Sequence, residues 1–165
     1  MLVCLYMSKK NTRILILHNI RSVYNTGAIF RTADAIDIDT IYLVGETPTP
    51  VDRFGRLRND FAKTALGSEK TVPWEYFKTI GPVMKKLKKD GFSMYAIEQA
   101  KDSKDYKKVS PANLSACILG SETKGIPASI LKKVDHILEI PMNGKKESLN
   151  VSVATGIVLY RLFDR

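Results

Sequence analysis

The stretch ACILGSETKGIPASILKKVDHILEIP (Ala116–Pro141) changes character repeatedly. ACILG is a short unbroken apolar run ending on glycine, the pattern of a strand buried on both faces. A polar loop follows. Pro127 then stands where the first turn of a short helix, PASILKKV, tolerates it. HILEIP closes the unit as another apolar strand. Strand, crossover helix and strand in this order call for a parallel sheet.

The same alternation extends outward. RILILH (Arg13–His18), TIYLVG (Thr40–Gly45) and FSMYAIE (Phe92–Glu98) read as buried strands, giving five in all. VYNTGAIFRTADAI carries Ile29, Ala33 and Ile36 at helical spacing, and FAKTALG reads as a helical turn. Tyr76, Phe77, Ile80, Val83, Met84 and Leu87 make one apolar helix face, which Gly81-Pro82 breaks or restarts. A last helix runs from about Leu149 to Phe163. Its apolar residues Val151, Val153, Ala154, Ile157, Val158, Leu159 and Leu162 lie on more than one side, so it is buried beyond a single stripe. The expectation is one α/β domain over residues 1–165 with a mainly parallel sheet. Ligands of such sheets gather beyond the carboxyl ends of the strands. That points to LGSETKG and to PMNGKKESLN.

Composition narrows the partners. Lys and Arg number 26 against 17 Asp and Glu, a formal charge of +9. That excess suits a polyanion such as RNA or DNA, and equally a generally basic soluble protein. Cys4 and Cys117 stand far apart in apolar surroundings, which reads as buried thiols in a reducing cytosol. His18 and His136 share no metal spacing with them, so no zinc site is expected. No apolar run reaches membrane-span length. In MLVCLYMSKK the lysines follow the apolar part, the reverse of a secretory signal. The segment reads as an ordinary cytosolic N-terminus, an edge strand or a start at Met7. The first strand lacks a following G-x-G-x-x-G. In GSETKG, Ile126-Pro127 stand where a Walker A loop needs Lys-Ser/Thr.

Three segments carry more. NIRSVYNTGAIFRTADA holds Asn25, Gly27, Ala28, Arg31 and Ala33. LGSETKG holds Gly120, Glu122 and Gly125. IPMNGKKESLNVSVA holds Ile140, Pro141, Met142, Ser148, Leu149, Asn150 and Ala154. In this order they resemble the SpoU (TrmH) family of SPOUT-class RNA methyltransferases, and the resemblance spans Asn19 to Leu162. It implies an α/β fold with a deep C-terminal trefoil knot, S-adenosylmethionine as methyl donor, a homodimer, and methylation of a ribose 2′-hydroxyl in tRNA or rRNA. First principles alone argue against a knot.

The resemblance places Asn25, Arg31, Glu122, Ser148 and Asn150 in the catalytic pocket. It places Gly120, Ile140, Met142, Ser148 and Leu149 around the donor. The residues themselves also allow plainer readings. Asn25 suits a helix cap, as do Ser148 and Asn150. Glu122 suits a charge pair with Arg31 or a lysine, and Ile140 and Leu149 suit core packing. Arg31 falls one turn after Gly27, and its planar fork suits a phosphate or an acceptor oxygen. The family implies direct catalysis, even as base. A free arginine pKa above ~12 opposes that and favours orienting the phosphate and stabilising the forming alkoxide. Arg53, Arg56 and Arg58, in the loop ETPTPVDRFGRLRND, are the RNA-binding candidates. No appended RNA-binding domain is visible, which tilts the expectation toward tRNA and toward a second subunit as added binding surface. The competing readings are a non-catalytic RNA-binding protein on the same fold and an unrelated nucleotide-binding enzyme.

Overall fold

The computed structural model describes residues 11–163. Its sheet is built from β1 (Thr12–His18), β2 (Thr40–Val44), β3 (Trp74–Phe77), β4 (Ser93–Ile97), β5 (Lys104–Asp105), β6 (Leu114–Leu119) and β7 (His136–Glu139). The order is β3-β2-β1-β6-β4-β7-β5, and every pairing is parallel. The helices are α1 (Val23–Ala35), α2 (Asn59–Ala65), α3 (Ser68–Thr71), α4 (Ile80–Lys89), α5 (Ala128–Leu131) and α6 (Val151–Phe163).

The continuous apolar strands follow from burial on both faces. Leu15, Leu17 and Leu43 pack toward Ile29 and Phe30 of α1, Phe61 of α2, and Val158 and Leu159 of α6. Their neighbours Ile14, Ile16 and Val44 pack on the opposite side with Val83, Met84 and Leu87 of α4 and Ile130 of α5. The pleat sends alternate residues to opposite faces, so both sets must be apolar.

Two strands exceed the five expected. Tyr76 and Phe77 belong to β3 rather than to the following helix. Thr79, extended at φ −141° and ψ 153°, separates the two elements. Pro82 then falls in the first turn of α4, where no intrahelical N–H bond is lost, so Gly81-Pro82 neither breaks nor restarts it. The polar two-residue β5 carries no apolar pattern at all.

The connection from β6 to β7 steps over β4. Residues 140–150 then return the chain to α6, which packs beside α1. This path brings the carboxyl ends of β4, β6 and β7 to one edge. Cys117 is a buried free thiol, its pKa pushed up to about 12 by burial. Cys4 and the reading of the N-terminal segment lie outside the described residues. Among the described residues, no helix is long and apolar enough to cross a membrane, and no His, Cys, Asp and Glu group could hold a metal.

Candidate active site

The N-terminus of α1 is capped by Ser22, whose Oγ accepts the Asn25 backbone N–H at 3.2 Å. Asn25 is therefore the third helical residue rather than the cap, which leaves its amide to bridge. Asn25 Nδ2 donates to Glu122 Oε1 at 2.9 Å, and Asn25 Oδ1 accepts from Asn150 Nδ2 at 3.1 Å. Glu122 also accepts the Arg21 N–H at 3.0 Å and the Ser22 N–H at 3.2 Å. These donors stand at a helix N-terminus, where backbone N–H groups lack intrahelical partners and favour negative charge. Glu122 thus pairs with backbone and amide donors, and among the described residues with neither Arg31 nor a lysine. Partial burial pushes its pKa up, but the hydrogen bonds from Arg21, Asn25 and Ser22 outweigh this and hold it below the usual carboxylate range. It is charged at neutral pH and acts only as an acceptor.

Asn150 works in both directions. Its Oδ1 accepts the Ser152 N–H at 2.9 Å and the Ser152 hydroxyl at 2.6 Å, the bonding of an N-cap for α6. Its Nδ2 faces Asn25. The helix-start reading of the Ser148-Leu149-Asn150 joint is met at Asn150, and the helix begins at Val151 rather than Leu149.

Beside this cluster lies a cleft of about 610 Å³ at the ends of β4, β6 and β7. Gly120, Ile140, Met142, Ser148 and Leu149 all line it, as do Glu122 and Asn150. Gly120 is required by close packing: an added Cβ would lie 2.5 Å from the Gly125 carbonyl carbon and 2.6 Å from Ile126 Cγ1. Gly125 adopts φ +62°, and a Cβ there would overlap Glu98 Oε2.

Among the lining residues not expected from sequence, two hold the cleft's loops together. Glu98 Oε2 accepts the Ile126 N–H at 2.8 Å, pinning the glycine loop from the end of β4. Gln99 Nε2 donates to the Glu147 carbonyl at 2.9 Å, tying the 140–150 segment across the cleft. Their one sequence signal is position, since FSMYAIE ends beside its neighbours' carboxyl ends.

Arg31 and Asn25 do not line the cleft. Arg31 is exposed on α1, about 9 Å along the helix axis from Asn25. It makes no hydrogen bond or ion pair with another described residue. Of the three loop arginines, Arg56 is bound by Asp52 at 2.9 Å and Arg58 by Asp60 at 3.0 Å. Arg53 pairs with no carboxylate among the described residues, and its guanidinium lies 4.8 Å from the Phe54 ring centre.

A model of the SpoU rRNA methylase family matches residues 12–160. The chain belongs to that family. It is 34% identical over 149 residues to an uncharacterised tRNA/rRNA methyltransferase of Archaeoglobus fulgidus, covering 90% of this chain and 63% of the relative. The A. aeolicus TrmH/SpoU tRNA modifying enzyme superposes with a TM-score of 0.79 at 28% identity, over 93% of this chain and 75% of that one. An AdoMet-bound rRNA methyltransferase from Sinorhizobium meliloti superposes with a TM-score of 0.83 at 27% identity, over 92% of this chain and 56% of that one. The chain spans roughly three fifths of the length of the curated relatives it matches: 60% of one and 63% of another.

Proposed function

We propose that this SpoU-family protein is an S-adenosylmethionine-dependent methyltransferase acting on a ribose 2′-hydroxyl of tRNA or rRNA, as a homodimer in the cytoplasm. The observation that carries the reading is the Glu122–Asn25–Asn150 chain of hydrogen bonds at the rim of the cleft. A charged, oriented polar cluster beside a ligand-sized hollow favours catalysis over RNA binding alone.

The cleft fits the donor. Its volume lies within the roughly 300–1,000 Å³ of small-molecule pockets, and apolar walls mix with a few polar groups. Leu149 lines it and stays 38% exposed, an apolar surface suited to a purine ring. Ile140, Met142 and Leu149 would hold the adenosine, with Gly120 and Ser148 alongside. When bound, the donor supplies an electrophilic methyl group on a sulfonium. The chain's own residues supply position and charge. Asn25 and Asn150 fix each other's amides and present them toward the acceptor ribose, while Glu122 locks Asn25. Arg31, exposed on α1 outside the cleft, orients the target phosphate and through it the acceptor hydroxyl. Positioning of this kind supplies about 7–11 kcal/mol of barrier reduction in well-oriented systems.

The dimer reading rests on α6. Thr155, Val158, Leu159 and Leu162 are buried within the subunit. Val153, Ile157 and Tyr160, at successive turns of the outer side, are 50%, 37% and 46% exposed. A two-fold partner covers such a stripe with its own copy. The trefoil knot belongs to the same reading: the β6–β7 crossing over β4 and the return of residues 140–150 are where it would lie.

Calorimetric titration tests the site. S-adenosylmethionine should bind one per chain, and Leu149→Ala should weaken it about tenfold, the loss of a buried side chain's contacts. No binding to the intact chain would overturn the proposal. In light scattering at micromolar concentration the protein should be a dimer and Ile157→Glu a monomer; a monomeric parent protein contradicts the α6 interface.

A further inference from the structure

The β2–α2 loop carries a small, hydrogen-bonded, aromatic-cationic knob. Asp52 organises it: Oδ1 accepts the Phe54 N–H at 2.8 Å and the Arg56 N–H at 3.0 Å. The backbone closes the turn through Asp52 N–H to Arg56 O at 2.9 Å and Gly55 N–H to Asp52 O at 2.9 Å. An antiparallel bridge joins Val51 to Leu57 beneath. At the tip, Phe54 is 66% exposed. The Arg53 and Arg56 guanidinium carbons sit 4.8 and 5.0 Å from its ring centre. Nothing in the core uses this ring.

The knob is also held in register with the candidate active site. Thr47, at the loop's base, accepts the Ile20 N–H at 3.1 Å and donates to the Leu17 carbonyl at 2.8 Å. Asn19 Oδ1 accepts the Glu46 N–H at 3.0 Å. The next residues of that same turn, Arg21 and Ser22, bind Glu122. Strand β2 lies two places from β6, about 10 Å across the sheet, with both carboxyl ends on the same edge.

From this we infer that Phe54, flanked by Arg53 and Arg56, is a stacking platform for an unpaired nucleobase of the RNA, beside the nucleotide that enters the cleft. An exposed ring with guanidiniums beside it suits a stacked base together with its phosphate. A net charge of +9 supplies the attraction, and base stacking supplies what charge alone lacks, a preference for single-stranded over duplex RNA. The inference rests on the RNA-methyltransferase reading for the identity of the polyanion.

The test is the binding of the full chain to a fluorescein-labelled single-stranded oligoadenylate, to an RNA duplex and to heparin, a polyanion without bases. Phe54→Leu, which keeps apolar bulk, should weaken oligoadenylate binding about 5- to 100-fold and change heparin binding less than about twofold. Phe54→Trp should hold oligoadenylate at least as well as the parent, with the new indole's emission quenched. Equal losses for oligoadenylate and heparin, no loss at all, no oligoadenylate binding by the parent protein, or tighter binding of duplex would overturn the inference. In methyl transfer to unmodified tRNA and rRNA, Phe54→Leu should raise KM for the accepted RNA. Transfer with an unchanged KM sinks the platform and spares the enzyme. Base-dependent binding without transfer to either RNA sinks the enzyme and spares the platform.

Discussion

Asn150 does two jobs that substitutions can separate. Its Oδ1 caps α6, and its Nδ2 holds Asn25. Asn150→Ala removes both, so denaturant unfolding should show a loss of about 0.5–2 kcal/mol, and turnover should fall further than that loss explains. Asn150→Ser keeps a capping oxygen but no amide, so stability should return and turnover should not. Recovery of both would reduce Asn150 to a cap. The cap was legible in ESLN, because capping is local chemistry. The Glu122–Asn25–Asn150 chain was not legible from spacing, since Asn25 lies 97 and 125 residues from its two partners. Family resemblance grouped those residues without saying which bonds join them. It did not show that Glu122 binds the α1 N-terminus instead of Arg31. Glu98 and Gln99 are not legible for a related reason: their partners are backbone atoms of distant loops, and any backbone offers those.

The strands are legible wherever both faces are buried, because a short unbroken apolar run bounded by turn residues then points to a strand. WEYF is a different case. Its aromatic residues sit on an edge strand that is only partly buried, and Tyr76 and Phe77 fall in step with Ile80, Val83 and Met84 of the next helix. Periodicity alone merged the two elements; the extended Thr79 divides them. Helix packing makes a sharper prediction. An added Cβ at Gly27 would overlap Thr64 Oγ1 and lie 3.0 Å from the Phe61 carbonyl, where α1 meets α2. Gly27→Ala should therefore destabilise the protein by about 1–3 kcal/mol in urea unfolding, despite alanine's better helix propensity. An increase in stability would mean that α2 moves freely, and that the base of the arginine loop is not fixed by α1.

The whole molecule should be less stable in mild acid. His18, at the carboxyl end of β1, is buried at 8% exposure. Its Nε2 accepts from Asn19 Nδ2 at 3.3 Å, and its Nδ1 has no hydrogen-bond partner among the described residues. Burial lowers its pKa below the ordinary 6.5. Between that lowered value and 6.5 the unfolded chain binds more protons than the folded one, so stability falls as pH falls through this window. The urea midpoint should drop between pH 7.5 and pH 5.5, and His18→Gln should flatten that drop. An equal drop in both proteins would assign the effect to other groups. The same burial joins the active-site turn to the sheet: His18 ends β1, Asn19 and Ile20 hold the arginine loop, and Arg21 and Ser22 hold Glu122.

Catalysis at this edge of the molecule is best tested by following the methyl group itself. The protein is incubated with methyl-labelled S-adenosylmethionine and unmodified tRNA or rRNA, and the RNA is digested to nucleosides. Label should appear in 2′-O-methyl nucleosides and should fall at least about tenfold with Arg31→Ala, one lost contact to the target phosphate. Label on a base, or no label in any RNA while the donor binds, would contradict the account.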